Sequence, residues 1–112
     1  MDCLFCKIAR GEIPAKKVYE DDGAVVFHDI EPKAPVHLLI IPKAHIKSAG
    51  EINQGNADIA AHLFAVIAKM AGELNLHDGF RVVTNCGKDA GQTVDHLHFH
   101  LLAGRALTWP PG

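Results

Sequence analysis

Three histidines alternate with apolar residues near the end of this 112-residue chain, in the run His96-Leu97-His98-Phe99-His100. Successive side chains of a β-strand point to opposite faces, so a strand here places the three imidazoles together on one face. Imidazoles serve as metal ligands, or as nucleophiles and acid–base groups, because they titrate near neutral pH. The spacing therefore predicts a functional strand and leaves both kinds of chemistry open.

Strand geometry argues against one zinc ion held by all three histidines. The first and third would lie about 13 Å apart, whereas zinc–nitrogen bonds are about 2 Å long. A nucleophile needs donors that hold a phosphoryl oxygen, and the loop 87–93 offers two glycines, the Gln92 amide and the Thr93 hydroxyl. Its composition alone favours an ordinary connection between strands, and it matches neither a Walker A loop nor a dinucleotide-binding motif.

The overall composition is that of a small globular domain, with eight histidines as its anomaly. A formal net charge of −2 provides no basic surface for polymeric nucleic acid. The longest purely aliphatic run, 38–41, is too short to cross a bilayer, and the first residues lack the apolar core of a signal peptide. We therefore expect a cytoplasmic protein without membrane contact, whose three cysteines form no disulfide framework.

The hydrophobic pattern predicts an α+β fold, in which a mainly antiparallel sheet of about five strands carries one long helix on a face. Apolar residues recur at helical spacing over 57–76, and 3–9 indicate a short N-terminal helix. The turn 21–23 contains the Asp-Gly signal of a hairpin. The predicted strands are 18–19, 24–29, 36–41, 80–84 and 94–102.

The histidine run resembles the signature of the histidine-triad (HIT) superfamily, and its surroundings resemble the Hint branch, the purine nucleoside phosphoramidase-like proteins. The resemblance implies a HIT-like fold with a single domain over 1–112, and a homodimer. Asp95 departs from the branch, which often has an aromatic residue there, and Cys86 is also atypical. The segments that resemble the branch, in the expected order, are 27–30, 34–37, 41–45, 91–94, 96–102, 104–105 and 109–112.

The resemblance implies a hydrolase that cleaves nucleoside 5′-phosphoramidates or related adenylates at the α-phosphorus and releases AMP or GMP. His98 would be the nucleophile and would form a nucleotidyl-histidine intermediate. His100 would contact the same phosphate, Thr93 would contact the phosphate or the leaving group, and His37 would support the histidine cluster. The residues assigned to the nucleotide are Asp29, Ile30, Asn85, Gly91, Gln92, Thr93, His98 and His100. Without the resemblance, Asp29 fits a turn residue, Ile30 a core residue and His37 a hydrogen-bonded core histidine.

Cys3 and Cys6 have the Cys-x-x-Cys spacing with which two thiolates bind one zinc ion. In bacterial HIT proteins that this chain resembles, two histidines complete a structural zinc site, and the matching residues are His45 and His96. The resemblance thus assigns His96 to structural zinc, while catalysis at His98 requires no cofactor. The alternative is that the two cysteines are small buried apolar side chains.

Three other functions stay open. A dinucleoside polyphosphate hydrolase would share the chemistry of His98 with a different leaving group, although the tail Trp109–Gly112 favours the Hint branch. A regulatory module that binds a purine nucleotide would turn it over only incidentally. A redox or metal sensor built on Cys3 and Cys6 would lose function with its metal but not with His98.

Overall fold

A computed structural model describes residues 3–112 of the chain. Its elements are α1 (Leu4–Ala9), β1 (Lys17–Glu20), β2 (Ala24–His28), β3 (Val36–Pro42), a 3₁₀ turn (Ala49–Glu51), α2 (Ala57–Glu73), β4 (Phe80–Val83) and β5 (Phe99–Ala103). The strands form one antiparallel sheet in the order β1-β2-β3-β5-β4, which confirms the predicted fold class. Within residues 3–112, neither helix combines the length and apolar character needed to cross a membrane.

Asp21 closes the predicted hairpin between β1 and β2. Its Oδ1 accepts hydrogen bonds from the backbone N–H groups of Gly23 and Ala24, both at 2.8 Å. Its Oδ2 lies 2.7 Å from the hydroxyl of Tyr19 and 2.8 Å from Nε2 of His62 on α2. These hydrogen bonds outweigh the opposing effect of burial and lower the pKa of Asp21 to about 2. The turn is therefore tied to the long helix by a charged contact.

The sheet buries apolar side chains on both faces, because alternate residues of its central strands point in opposite directions. One face packs against α2 and the other against the shorter helix α1, so the sheet separates two cores. The core beside α2 contains Val26, Leu38, Ile40, Leu97, Phe99, Leu101, Leu63, Val66, Ile67 and Met70. The core beside α1 contains Phe5, Ile8, Val25, Phe27, Leu39 and Ile41.

The histidine strand is shorter than the alternating pattern predicts. The chain bends over 94–96, and regular pairing with β3 begins only at Phe99. The backbone N–H of Leu97 donates to the carbonyl of Ile46 instead of to a strand of the sheet. The fully buried His96 therefore lies before the regular strand. The long helix also ends earlier than 76, at Glu73, and Asn75 adopts a left-handed φ of 56°.

Candidate functional site

Two adjoining cavities open on the face of the sheet that carries α1. The apolar cavity, of about 370 Å³, is lined by Leu4, Phe5 and Ile8 of α1 and by His98. The polar cavity, of about 590 Å³, contains His37, Asn85 and Pro111. The residues common to both are Asp29, Ile30, Thr93 and His100. A ligand that extends through both cavities would therefore pass Asp29 and Thr93.

A hydrogen bond determines which ring nitrogen of neutral His98 carries the lone pair. Its Nδ1 lies 2.7 Å from the backbone carbonyl oxygen of His96, which accepts only from a protonated nitrogen, so Nδ1 donates. In the neutral ring the lone pair is then on Nε2. The hydroxyl of Thr84 donates to the carbonyl of His98 at 2.8 Å and holds the backbone there. A buried imidazole with a fixed tautomer is suited to nucleophilic attack.

A chain of hydrogen bonds sets the opposite tautomer in His100. The backbone N–H of Lys33 donates to Nδ1 of His37 at 3.0 Å, so the proton of neutral His37 is on Nε2. That nitrogen lies 2.9 Å from Nδ1 of His100 and donates to it, which leaves the proton of His100 on its Nε2. His98 therefore offers an electron pair and His100 an N–H donor on the same face.

Burial keeps this histidine pair neutral. It lowers the pKa of His37, an effect that the nearby carboxylate of Asp29 opposes. Burial, together with the neighbouring His98 and His37, lowers the pKa of His100 to about 4. The Asp29 carboxylate lies 3.4 Å from Nε2 of His37, and its other oxygen accepts the N–H of Glu31 at 2.7 Å. Near pH 7 the hydrogen-bond chain is thus uncharged beside one anionic carboxylate.

The loop 87–93 forms a third cavity that meets the other two at Thr93. The half-buried side chain of Gln92 is hydrogen-bonded to three backbone groups: it accepts the N–H of Gly87 at 2.9 Å and donates to the carbonyls of Lys47 and Val94 at 2.8 and 2.9 Å. Gly91 has a φ of 83°, a conformation that favours glycine. Gln92 thus stabilises the loop with its amide, and Thr93 is the loop residue that lines both cavities beside His100.

Cys3, Cys6, His45 and His96 bring their ligand atoms together within 4.8 Å of one another. Nδ1 of His96 lies 3.3 Å from Sγ of Cys3, 3.5 Å from Sγ of Cys6 and 3.2 Å from Nδ1 of His45. Around a tetrahedral zinc ion, neighbouring nitrogens are about 3.4 Å apart, and nitrogen and sulfur about 3.6 Å. The distances within this group, called the Cys2His2 group below, fit such an ion.

The surroundings of the Cys2His2 group also favour a cation. Nε2 of His96 donates to the carbonyl of Pro42 at 2.9 Å, which directs the Nδ1 lone pair at the two sulfurs. Burial lowers the pKa of His96 and, together with the hydrogen bond to Cys3, raises the pKa of Cys6. A bound cation would reverse the effect on Cys6, because it stabilises the thiolate.

The structure adds residues that the sequence interpretation did not assign. Phe5 contacts the rings of His98 and His96 edge-on, with centroid distances of 5.0 and 5.9 Å. His28 lines the apolar cavity at the end of β2. The apolar positions of the short helix were a signal for Phe5, whereas nothing in the sequence marks the backbone N–H of Lys33 as the donor to His37.

Comparison with known proteins places this geometry in a family. A family model described as the HIT domain matches residues 10–107. An uncharacterized HIT-like protein of Synechococcus elongatus is 48% identical over 111 residues, which cover 99% of this chain and 97% of that protein.

Solved structures of similar proteins have the same fold. A HIT family hydrolase from Legionella pneumophila is 48% identical, with a TM-score of 0.97, and the match covers 99% of this chain and 100% of that one. A histidine triad nucleotide-binding protein from Candida albicans is 37% identical, with a TM-score of 0.83, over 97% of this chain and 83% of that one.

Proposed function

The chain belongs to the HIT domain family, and on that premise we propose that it hydrolyses nucleoside 5′-phosphoramidates or related adenylates at the α-phosphorus. The observation that carries the proposal is the pairing of a lone pair on His98 with an N–H donor on His100 beside an apolar cavity. HIT family hydrolases are among its structural neighbours, and the Candida albicans neighbour is a nucleotide-binding protein.

The order of the cavities supports a nucleoside monophosphate as the bound part of the substrate. The purine would occupy the apolar cavity between Ile30, which is 94% exposed, and the side chains of α1. The ribose would lie at Asp29, whose carboxylate accepts hydroxyl protons. The phosphate would meet His98, His100 and the Thr93 hydroxyl, while Asn85, Gly91 and Gln92 form or support its surroundings.

The reaction would proceed in two displacements at phosphorus. Nε2 of His98 attacks, the P–N bond to the leaving amine breaks, and the amine takes up one proton. Water then attacks the nucleotidyl-histidine, the bond from phosphorus to Nε2 breaks, and one proton is released with the monophosphate. The N–H of His100 would stabilise the charge that develops on a phosphoryl oxygen. His37 would hold that donor in its tautomer.

We propose structural zinc for the Cys2His2 group. The two thiolates and two imidazoles are a donor set that zinc prefers, and four protein ligands close the site to substrate. The ion would fix α1 and the bend at His96, and no step of the reaction would pass through it. We also propose that residues 1–112 form a single domain.

The first test is release of AMP from adenosine 5′-phosphoramidate by the protein and by its His98→Ala variant. We expect the rate to fall by a factor of about 10³ or more, because the variant lacks the attacking lone pair of His98, while AMP binding is retained. His62→Ala is the matched control, since His62 is exposed and bonded to Asp21.

Other outcomes would decide against this substrate class. If the protein binds AMP but releases nothing from the phosphoramidate, a dinucleoside polyphosphate is the next substrate to test. Hydrolysis of that compound would indicate a polyphosphate hydrolase, and its absence would indicate a binding module. Equal rates for the wild type and His98→Ala would exclude the nucleophile.

We further propose a homodimer. Strand β4 is an edge of the sheet, and in residues 3–112 its outer side has no strand partner. Phe80 on this strand is 44% exposed and Trp109 is 81% exposed. An apolar edge strand favours pairing with a second chain. Light scattering across a range of concentrations should give twice the chain mass of 12.1 kDa, whereas a constant 12.1 kDa would contradict the dimer.

A further inference from the structure

The helix α1 is a short element that contributes to two sites. Six residues make fewer than two turns, and helices of that length are not stable alone. Its position therefore depends on tertiary contacts, which are made by the buried side chains of Phe5, Cys6 and Ile8. Whatever holds α1 on the sheet consequently decides the shape of both sites.

The first turn of α1 contributes side chains both to the Cys2His2 group and to the apolar cavity. Cys3, the N-cap of α1, and Cys6 belong to the Cys2His2 group, and Sγ of Cys3 also accepts the N–H of Cys6 at 3.3 Å. Leu4 and Phe5, which lie between these cysteines, form part of the wall of the apolar cavity. A cation bound by the cysteines would therefore fix the wall against which a purine packs.

Phe5 also connects the Cys2His2 group to the candidate nucleophile. Its ring contacts His96 and His98 edge-on and packs against Phe27 at a centroid distance of 5.7 Å. His96 offers Nδ1 to the Cys2His2 group and its backbone carbonyl to Nδ1 of His98. Displacement of α1 would remove the side chain that packs on both imidazoles.

We propose that a cation in the Cys2His2 group docks α1 on the sheet, and that its occupancy controls the affinity of the apolar cavity for a nucleotide. The inference rests on the proposed function, because a nucleoside monophosphate is the ligand considered. Without the cation, the apolar packing of Phe5 and Ile8 remains as the main contact between α1 and the sheet. If the docked helix is then populated for about one tenth of the time, the apparent Kd for the nucleotide rises about tenfold.

The test compares the zinc-loaded protein with the same protein after chelation, and again after zinc is restored. Hydrogen exchange reports on α1 through the backbone amides of Cys6 and Arg10. The Cys6 N–H donates a hydrogen bond to Sγ of the N-cap Cys3, and the Arg10 N–H donates to the carbonyl of Cys6. Calorimetry with AMP reports the cavity. We expect exchange in α1 to accelerate at least tenfold, the amides of β3 and β5 to stay protected, and the Kd for AMP to rise about tenfold. Zinc should restore both values.

Two cysteine variants form a matched pair. Cys6→Ser should lose the metal and behave like the chelated protein. Cys86→Ser should keep the metal, the protection of α1 and the AMP affinity, because Cys86 contacts Ser48 and lies outside the Cys2His2 group. Metal content is measured for each protein preparation by mass spectrometry.

Three results would overturn the proposal: unchanged exchange in α1 after chelation, loss of protection throughout the sheet, or unchanged AMP affinity while α1 exchanges faster. The second would make the cation a stabiliser of the whole fold. If the zinc-loaded protein fails to bind AMP, the proposed function fails and with it the control of nucleotide affinity. Exchange in α1 then decides alone whether the cation docks the helix.

Discussion

Replacing Asp29 by Asn should weaken nucleotide binding mainly through the ribose. Asp29 lies where the apolar and polar cavities meet, and its side chain is 18% exposed. One carboxylate oxygen already accepts the N–H of Glu31 at 2.7 Å, a bond that an asparagine oxygen can also accept. The other oxygen would become an NH₂ group, which cannot accept a hydroxyl proton. The variant therefore removes a charged acceptor and leaves the turn intact.

The magnitude follows from the loss of one hydrogen bond to a charged group. Such a bond contributes about 1.5–3 kcal/mol, and a partly buried site falls near the middle, at about 2 kcal/mol. At about 1.4 kcal/mol for each factor of ten, the Kd for AMP should rise about 30-fold. Calorimetry with AMP and 2′-deoxy-AMP on both proteins completes a double cycle. The wild type should prefer AMP at least tenfold, and Asp29→Asn should prefer it threefold or less.

Equal preference for AMP over 2′-deoxy-AMP in both proteins would refute the assignment of Asp29 to the 2′-hydroxyl. If the affinities for AMP and 2′-deoxy-AMP fall by the same factor, the substitution has a general effect on the cavity. Asp78→Asn, at an exposed turn before β4, removes a carboxylate of the same kind and should leave both affinities unchanged.

The remaining predictions concern stability. Leu101→Ala in the fully buried centre of β5 should lower the free energy of unfolding by about 2–5 kcal/mol in urea titrations, and a loss below 1 kcal/mol would contradict the packing described. Asp21→Asn should cost about 1–2 kcal/mol at pH 7, because it removes the charged acceptor for Tyr19 and His62, and the difference from the wild type should shrink as the pH falls towards 2. Because burial lowers the pKa of His100 from 6.5 to about 4, the unfolded chain binds more protons between those values. The stability that depends on neutral His100 should therefore be fully present above pH 6.5, and the free energy of unfolding should decrease as the pH falls towards 4. Urea midpoints from pH 7.5 to pH 4.5 should decline less steeply for His100→Gln, and parallel profiles would contradict this.

The fold could be predicted from the sequence because its signals are local. Apolar spacing over α2 and the Asp21 turn each determine an element without help from distant residues. The start of β5 could not be predicted in this way. The alternation of His96, Leu97 and His98 satisfies a strand pattern, yet the bond from Leu97 to Ile46 bends the chain before the strand. That bend depends on a contact 51 residues away in the chain.

The candidate site likewise combines features that local sequence signals predict with features that depend on distant contacts. The alternating run of histidines singled out His100, whereas His37 is one histidine in an apolar strand, and the resemblance to a family was needed to select it. Their tautomers follow from the N–H of Lys33, a backbone group with no side-chain signature. Gln92 was assigned to the nucleotide by its position in a glycine-containing loop, whereas its amide bonds to Gly87, Lys47 and Val94 became visible only in three dimensions.

The pairing of β3 with β5 has a consequence for how this protein can change. His100 lies opposite Leu39, and Leu101 lies opposite Leu38. Residue pairs that face the candidate site therefore alternate along the two strands with pairs that face the α2 core. A single inserted or deleted residue within either strand would exchange the two faces, moving imidazoles into the α2 core and apolar side chains into the cavities. Insertions and deletions can therefore accumulate in the surrounding loops. The lengths of β3 and β5 are fixed because each strand must place residues in the candidate site and in the apolar core.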